Sequence, residues 1–173
     1  GQGYDRFDMM GTVQPTLMAH CIFSNQEEFD MLCSRNITIA HCPDANLNYS
    51  GTAGPILKYV RSGAKVGLGS DVSGGHTLNL MQVMLQAIVA SKDRWAYCER
   101  TGKADEKRDV LTLANAFYLA TKGGGSFWGK VGSFEPGYAF DAVVLDDSRI
   151  ADECPRSVYE RVERLASLGD DRE

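Results

Sequence analysis

Lys65-Val66-Gly67-Leu68-Gly69-Ser70-Asp71 is the stretch on which the reading of the fold turns. Lys65 to Leu68 is short and apolar enough for a buried parallel strand, and Gly67 and Gly69 let a neighbour approach the backbone closely. The run stops at a carboxylate followed by the polar turn Val72-Ser73-Gly74-Gly75. An Asp at the carboxyl end of a buried strand stands where α/β barrels keep their catalytic groups. The competing reading is an Asp that merely caps the next turn. Two upstream stretches shift the balance, because both end the same way, in His. Thr16-Leu17-Met18-Ala19 reads as a strand closing at His20-Cys21. Ile37-Thr38-Ile39-Ala40, β-branched and bounded, reads as a second strand closing at His41-Cys42-Pro43.

Helical patterns fill the intervals. Ser24 with Glu27 three positions on has the form of a capping box, and Phe29, Leu32 and Cys33 follow at helical spacing. Asp44 to Ala53, polar with Asn46, Asn48 and Ser50, is expected to be a loop. Pro55 to Arg61 is expected to be a short helix, with Pro55 in its first turn and Gly63 ending it. Leu78, Met81, Leu85 and Ile88 predict an amphipathic helix to about Ser91, with Trp95 to Arg108 irregular. Thr112 can cap a further helix that carries Leu113, Phe117 and Leu119 and ends at Gly123-Gly124-Gly125. Tyr138 to Leu145 reads as a strand, and about Ser157 to Leu168 as a last helix. Residues 4–10 read as the end of a helix closed by Gly11. Strand and helix alternating at this spacing is the βα repeat of a parallel sheet.

Composition bounds the function. The chain has 173 residues, a formal net charge of -5 and 43% hydrophobic residues, which is one ordinary domain with material for a core. No apolar run approaches the roughly 20 residues needed to cross a bilayer. Lys and Arg are scattered rather than clustered, which argues against nucleic acid as a partner. Cys21, Cys33, Cys42, Cys98 and Cys154 are irregularly spaced and read as reduced thiols of a cytoplasmic protein. The chain opens on Gly1-Gln2-Gly3-Tyr4 and closes in a charged tail, so both ends are expected to be cut.

His20, His41 and Asp71 fall at the carboxyl ends of three successive expected strands, which lie on one rim of a parallel βα sheet. His and Asp around a pocket suit metal-assisted attack of water: zinc takes three protein ligands and leaves a position for water, whose pKa falls to about 7. A carboxylate beside that water can carry its proton to the leaving group. The alternative for each His is a strand-end residue bonded to nearby backbone, and the Pro43–Asn46 stretch could need His41 for structure alone. The absence of Cys-x-x-Cys excludes a zinc finger or ribbon. The cytidine-deaminase signature, His-x-Glu with Pro-Cys-x-x-Cys, is also absent. Gly67-Leu68-Gly69 and Gly123-Gly124-Gly125 do not continue into phosphate-binding fingerprints and read as packing and turn glycines.

Met18-Ala19-His20-Cys21, Ile39-Ala40-His41-Cys42-Pro43-Asp44-Ala45-Asn46-Leu47 and Gly67-Leu68-Gly69-Ser70-Asp71-Val72-Ser73-Gly74-Gly75 resemble the amidohydrolase superfamily. The Ser73-Gly74-Gly75 turn and the closing Leu168-Gly169-Asp170-Asp171-Arg172 narrow the resemblance to its guanine deaminase branch. Val131-Gly132-Ser133-Phe134-Glu135-Pro136-Gly137 with Phe140-Asp141-Ala142 resembles the return into the superfamily's small β domain. The resemblance implies an α/β fold: part of a (β/α)8 TIM-type barrel, about strands six to eight, over residues 1–130, and the start of a small β-sandwich segment over 131–173. It implies zinc-dependent hydrolysis of guanine, a small purine, to xanthine and ammonia by a protein that is a homodimer at full length. Asp71 matches the eighth-strand Asp that contacts the metal, activates water and shuttles its proton. His20 matches the sixth-strand His that orients water and substrate. His41 and Asn46 match a seventh-strand motif and are expected at the substrate.

The superfamily's remaining zinc ligands, a His-x-His after the first strand and a His after the fifth, cannot be placed. The chain has only 3 His, and His76 reads as a loop residue. It is therefore expected to be the carboxyl-terminal portion of such an enzyme, inactive alone, with one zinc per complete site. Related alternatives are a deaminase of adenosine or S-adenosylhomocysteine and a triazine chlorohydrolase. An alternative of another class is a metal-free scaffold that has lost the chemistry.

Overall fold

Ile37, Thr38 and Ile39 are β-branched, suit a pleated surface, and are buried almost completely. That places their strand at the centre of the sheet. The computed structural model describes residues 1–104, 108–150 and 153–169. Its sheet has three parallel strands, β1 (Thr16–Ala19), β2 (Ile37–His41) and β3 (Lys65–Leu68), in the order β1-β2-β3. Met18 pairs with Ile39 and Ile39 with Val66, while Ala19, Ala40 and Gly67 lie side by side one residue on. The ladder runs past the strands: the His20 amide donates to Ala40 O (2.9 Å) and the Gly69 amide to His41 O (2.9 Å). The carboxyl ends of all three strands therefore open on one rim, as the βα pattern predicts.

The helices are α1 (Gln2–Asp5), α2 (Gln26–Ser34), α3 (Pro43–Ser50), α4 (Ile56–Arg61), α5 (Leu80–Arg100), α6 (Leu113–Tyr118) and α7 (Val158–Leu168). Leu32 of α2, Ile37 and Ile39 of β2, Ile56 and Tyr59 of α4, Val66 of β3 and Ala87 of α5 share one buried cluster. Removing each large aliphatic side chain of that cluster from water stabilises the fold by about 1.5–3 kcal/mol. A second cluster, Met84, Leu113, Ala116 and Ala166, seats α7 on α5 and α6. Gly67 explains the closeness of β3 to the segment after α6: a Cβ there would lie 2.6 Å from Gly124 Cα. These glycines pack, as expected. No helix among the described residues is long and apolar enough to cross a membrane.

Several elements differ from the sequence reading. The helix cap precedes α2 by one residue only: Asn25, not Ser24, accepts from the Glu28 amide (2.9 Å), and Glu28 closes the box. The expected loop from Asp44 is instead α3, with Pro43 in its first turn and Gly51 at φ 64° ending it. Its Asn and Ser content hid a helix whose punctuation is ordinary. α5 continues to Arg100 because Ala87, Ala90, Ser91 and Cys98 keep a buried stripe after the large apolar residues run out. The glycines after α6 do not stop the helical path, which continues as a wide turn over Leu119–Gly123 and a tight one over Ser126–Trp128. At the amino end, α1 stops at Asp5, well before Gly11. Tyr138 to Leu145 forms no strand; Val143 and Val144 are exposed, and a strand needs a partner for its amides and carbonyls. The closing motif at Asp170 to Arg172 lies outside the described residues.

Candidate active site

Asp71 stands three residues past β3, and His20 follows β1 directly; both have left-handed backbones, at φ 45° and 68°. His20 Nε2 is 3.8 Å from Asp71 Oδ2, with the two side chains 43% and 42% exposed. That is too long for a hydrogen bond. Both groups face solvent and can reach a solute together. The structure thus brings His20 and Asp71 to one point from strands that do not touch each other.

His41 ends differently. It is 1% exposed, and its Nδ1 has no hydrogen-bond partner among the described residues. Burial, with a smaller contribution from His20 nearby, pushes its pKa down to about 3, so the ring stays neutral. Asn46, also 1% exposed, turns its Oδ1 to His20 Nδ1 at 2.7 Å. Its Nδ2 has no partner among the described residues. His20, not open solvent, is therefore what the Asn46 amide meets.

Cys42 joins the pair, a juxtaposition that strand-by-strand reading of the sequence does not show. Ligand atoms of His20, Cys42 and Asp71 all lie within 4.8 Å of one another. Burial, and then the Asp71 charge, push the Cys42 thiol up to about 11. The only signal in the sequence was its place beside His41 at a strand end.

The turn after Asp71 is tied to α3. Asp44 Oδ2 accepts from the His76 amide at 2.5 Å and lies 2.9 Å from His76 Nδ1, and Asn48 Nδ2 donates to Gly74 O at 2.7 Å. His76 is in a loop, as expected, and bonded. The Gly74 and Gly75 amides both return to Asp71 O at 2.7 Å. A Cβ on Gly74 would lie 2.9 Å from both Asp71 Oδ2 and Tyr49 Cε2. Glycine there leaves the carboxylate its room.

An imidazole, a carboxylate and a thiol are the donors that zinc takes, so the chemistry of this cluster fits that metal. Asp71 and His20 are accessible enough to ligate as they stand, while Cys42 would have to give up a strongly held proton.

A parallel βα sheet with His and Asp on one rim defines a class, and the sequence agrees: the Amidohydrolase family pattern matches residues 3–171, and the chain belongs to that family. The particular relatives include guanine deaminases. The rat (Rattus norvegicus) guanine deaminase is 32% identical over 98% of this chain. A crystal structure of guanine deaminase from C. acetobutylicum, with guanine bound in its active site, is 48% identical with a TM-score of 0.87 over 99% of this chain. An adenosine deaminase from Xanthomonas campestris with bound zinc, 20% identical over 91% of this chain and 35% of its own, shares the fold with a TM-score of 0.68. The chain spans 38% of the rat protein and 39% of the C. acetobutylicum chain.

Proposed function

We propose that these residues form part of a guanine deaminase active site, which converts guanine and water to xanthine and ammonia. The observation that carries the reading is the half-exposed His20–Asp71 pair, 3.8 Å apart on the strand rim. The 48% identity to an enzyme crystallised with guanine supports the choice of ring. In this reading residues 1–130 are the last part of a (β/α)8 barrel, and 131–173 lead toward a small β domain. The complete protein is a cytoplasmic homodimer.

Water adds to the ring carbon that bears the exocyclic amine, a C–O bond forms, and the C–N bond breaks. Asp71 takes a proton from the attacking water and returns it to the amine nitrogen, so ammonia leaves and the carboxylate is regenerated. His20 accepts a hydrogen bond from the attacking water and holds it in line with the carbon under attack. Asp71, with His20 beside it, would hold a zinc ion. When bound, that ion supplies the Lewis acidity that makes water a nucleophile near neutral pH. The remaining ligands come from polypeptide beyond these 173 residues, so the chain alone is inactive.

The test is ammonia release by the longer polypeptide from guanine, adenosine, S-adenosylhomocysteine and a triazine. Guanine is expected to turn over and the others not, and D71N should lower the rate by about 10²–10⁴-fold. Guanine inert beside another active ring would refute the substrate. Undiminished turnover by D71N would refute the site.

A further inference from the structure

We infer that Asn46 is a positioning residue that fixes the tautomer of His20, so that Nε2 presents a lone pair on the side of Asp71. The contact between Asn46 Oδ1 and His20 Nδ1 is 2.7 Å, and an amide oxygen can only accept. The proton of the neutral imidazole is therefore on Nδ1, and Nε2 is left as an acceptor. An exposed imidazole left to itself prefers the opposite tautomer, with the proton on Nε2.

Both ends of the contact are anchored to the central strand. The His20 amide donates to Ala40 O at 2.9 Å, and the Asn46 amide donates to Cys42 O at 2.9 Å, the latter in the first turn of a helix begun by Pro43. Asn46 is 1% exposed and its Nδ2 is unpartnered among the described residues. The oxygen on His20 is thus the one partner its side chain has there, and a buried amide half satisfied is unfavourable unless that bond is useful. This role differs from contact with a substrate, for which Asn46 has almost no open surface.

The consequence lies at the other nitrogen. With the proton on Nδ1, His20 Nε2 and Asp71 Oδ2 are two electron-pair donors 3.8 Å apart. They do not bond each other. Such a pair is arranged to share a group that accepts electrons from both, a water proton or a metal ion. With the proton on Nε2 instead, the imidazole would turn its N–H toward the carboxylate and lose that capacity.

The inference deepens the proposed reading and rests on it only for turnover, so the decisive test is spectroscopic. In the chelator-treated chain labelled with 15N-histidine, His20 is expected to show a pyrrole-type Nδ1 and a pyridine-type Nε2 in its neutral form. N46D, which keeps an oxygen in place, should retain that pattern, and N46L should reverse it. A pyridine-type Nδ1 in the unsubstituted chain, loss of the pattern in N46D, or an unchanged pattern in a folded N46L would each overturn the inference. In the longer polypeptide, N46L should lower kcat for guanine about 10–100-fold with KM nearly unchanged, and N46D should recover most of it. A tautomer switch in a protein indifferent to guanine would sustain the inference and refute the substrate.

Discussion

At the scale of the residue, the site is built from side chains held in uncommon backbone positions. Non-glycine residues in the left-handed region cost about 1–3 kcal/mol each, and both His20 (φ 68°) and Asp71 (φ 45°) occupy it. Their neighbours offset that: the ladder bond to Ala40 O holds His20, and two glycine amides hold the Asp71 carbonyl. Asp109 shows the same logic away from the rim. It is 3% exposed, accepts from the Lys58 amide at 3.0 Å, and lies 3.4 Å from Arg94 Nη1. Burial pushes its carboxyl above 3.8, and the Arg94 charge and the Lys58 and Leu57 amides reverse only part of that shift. A folded-state pKa above the unfolded one means that the native state binds the proton more tightly. The associated stability is full below about pH 3.8 and is lost as pH rises through the raised value. Urea midpoints measured from about pH 3.5 to 6 should therefore fall for the unsubstituted chain relative to D109N. A relative rise would contradict the assignment. The pairing of His20 with Asp71 on one rim was legible because each follows the carboxyl end of a strand. Cys42 and the Asn46–His20 contact were not, because they depend on the path of a helix that composition disguised.

At the scale of the element, what was legible was whatever had a strong local cause. The strand limits Thr16–Ala19 and Lys65–Leu68 agree with the sequence, since each is a short apolar run bounded by polar turns. Thr112 caps α6 as its sequence indicates, and α7 starts where expected, with Ser157 as its cap. The α2 cap slipped by one position because Ser24-Asn25 and Glu27-Glu28 offer two overlapping boxes. Geometry separates them: Asn25 Oδ1 takes the Glu28 amide, whereas Ser24 Oγ donates to Cys21 O at 3.4 Å. N25A should therefore destabilise the chain by about 1 kcal/mol, and S24A by less. Equilibrium urea unfolding of the two variants checks this, and the reverse order would return the cap to Ser24. Tyr138 to Leu145 failed as a strand for a non-local reason. Its Val and Phe content is strand-like, yet pairing is decided by a neighbour that local sequence does not contain.

At the scale of the whole molecule, the sheet has one central strand and two outer ones, β1 and β3. Parallel sheets are ordinarily covered on both faces, yet Leu17 of β1 is 56% exposed, and Phe134, Phe140 and Val144 are more exposed still. The proposed barrel accounts for this by closing the sheet with strands from the longer polypeptide. In the proposed reading the site follows the same division: this chain would bring Asp71 and His20, and the other zinc ligands would come from the longer polypeptide. Zinc per chain, measured by elemental analysis of this polypeptide purified without chelators, tests that division most directly. The account predicts far less than one zinc per chain. One tightly held zinc per chain would contradict it, because His20, Cys42 and Asp71 would then suffice as a metal site by themselves.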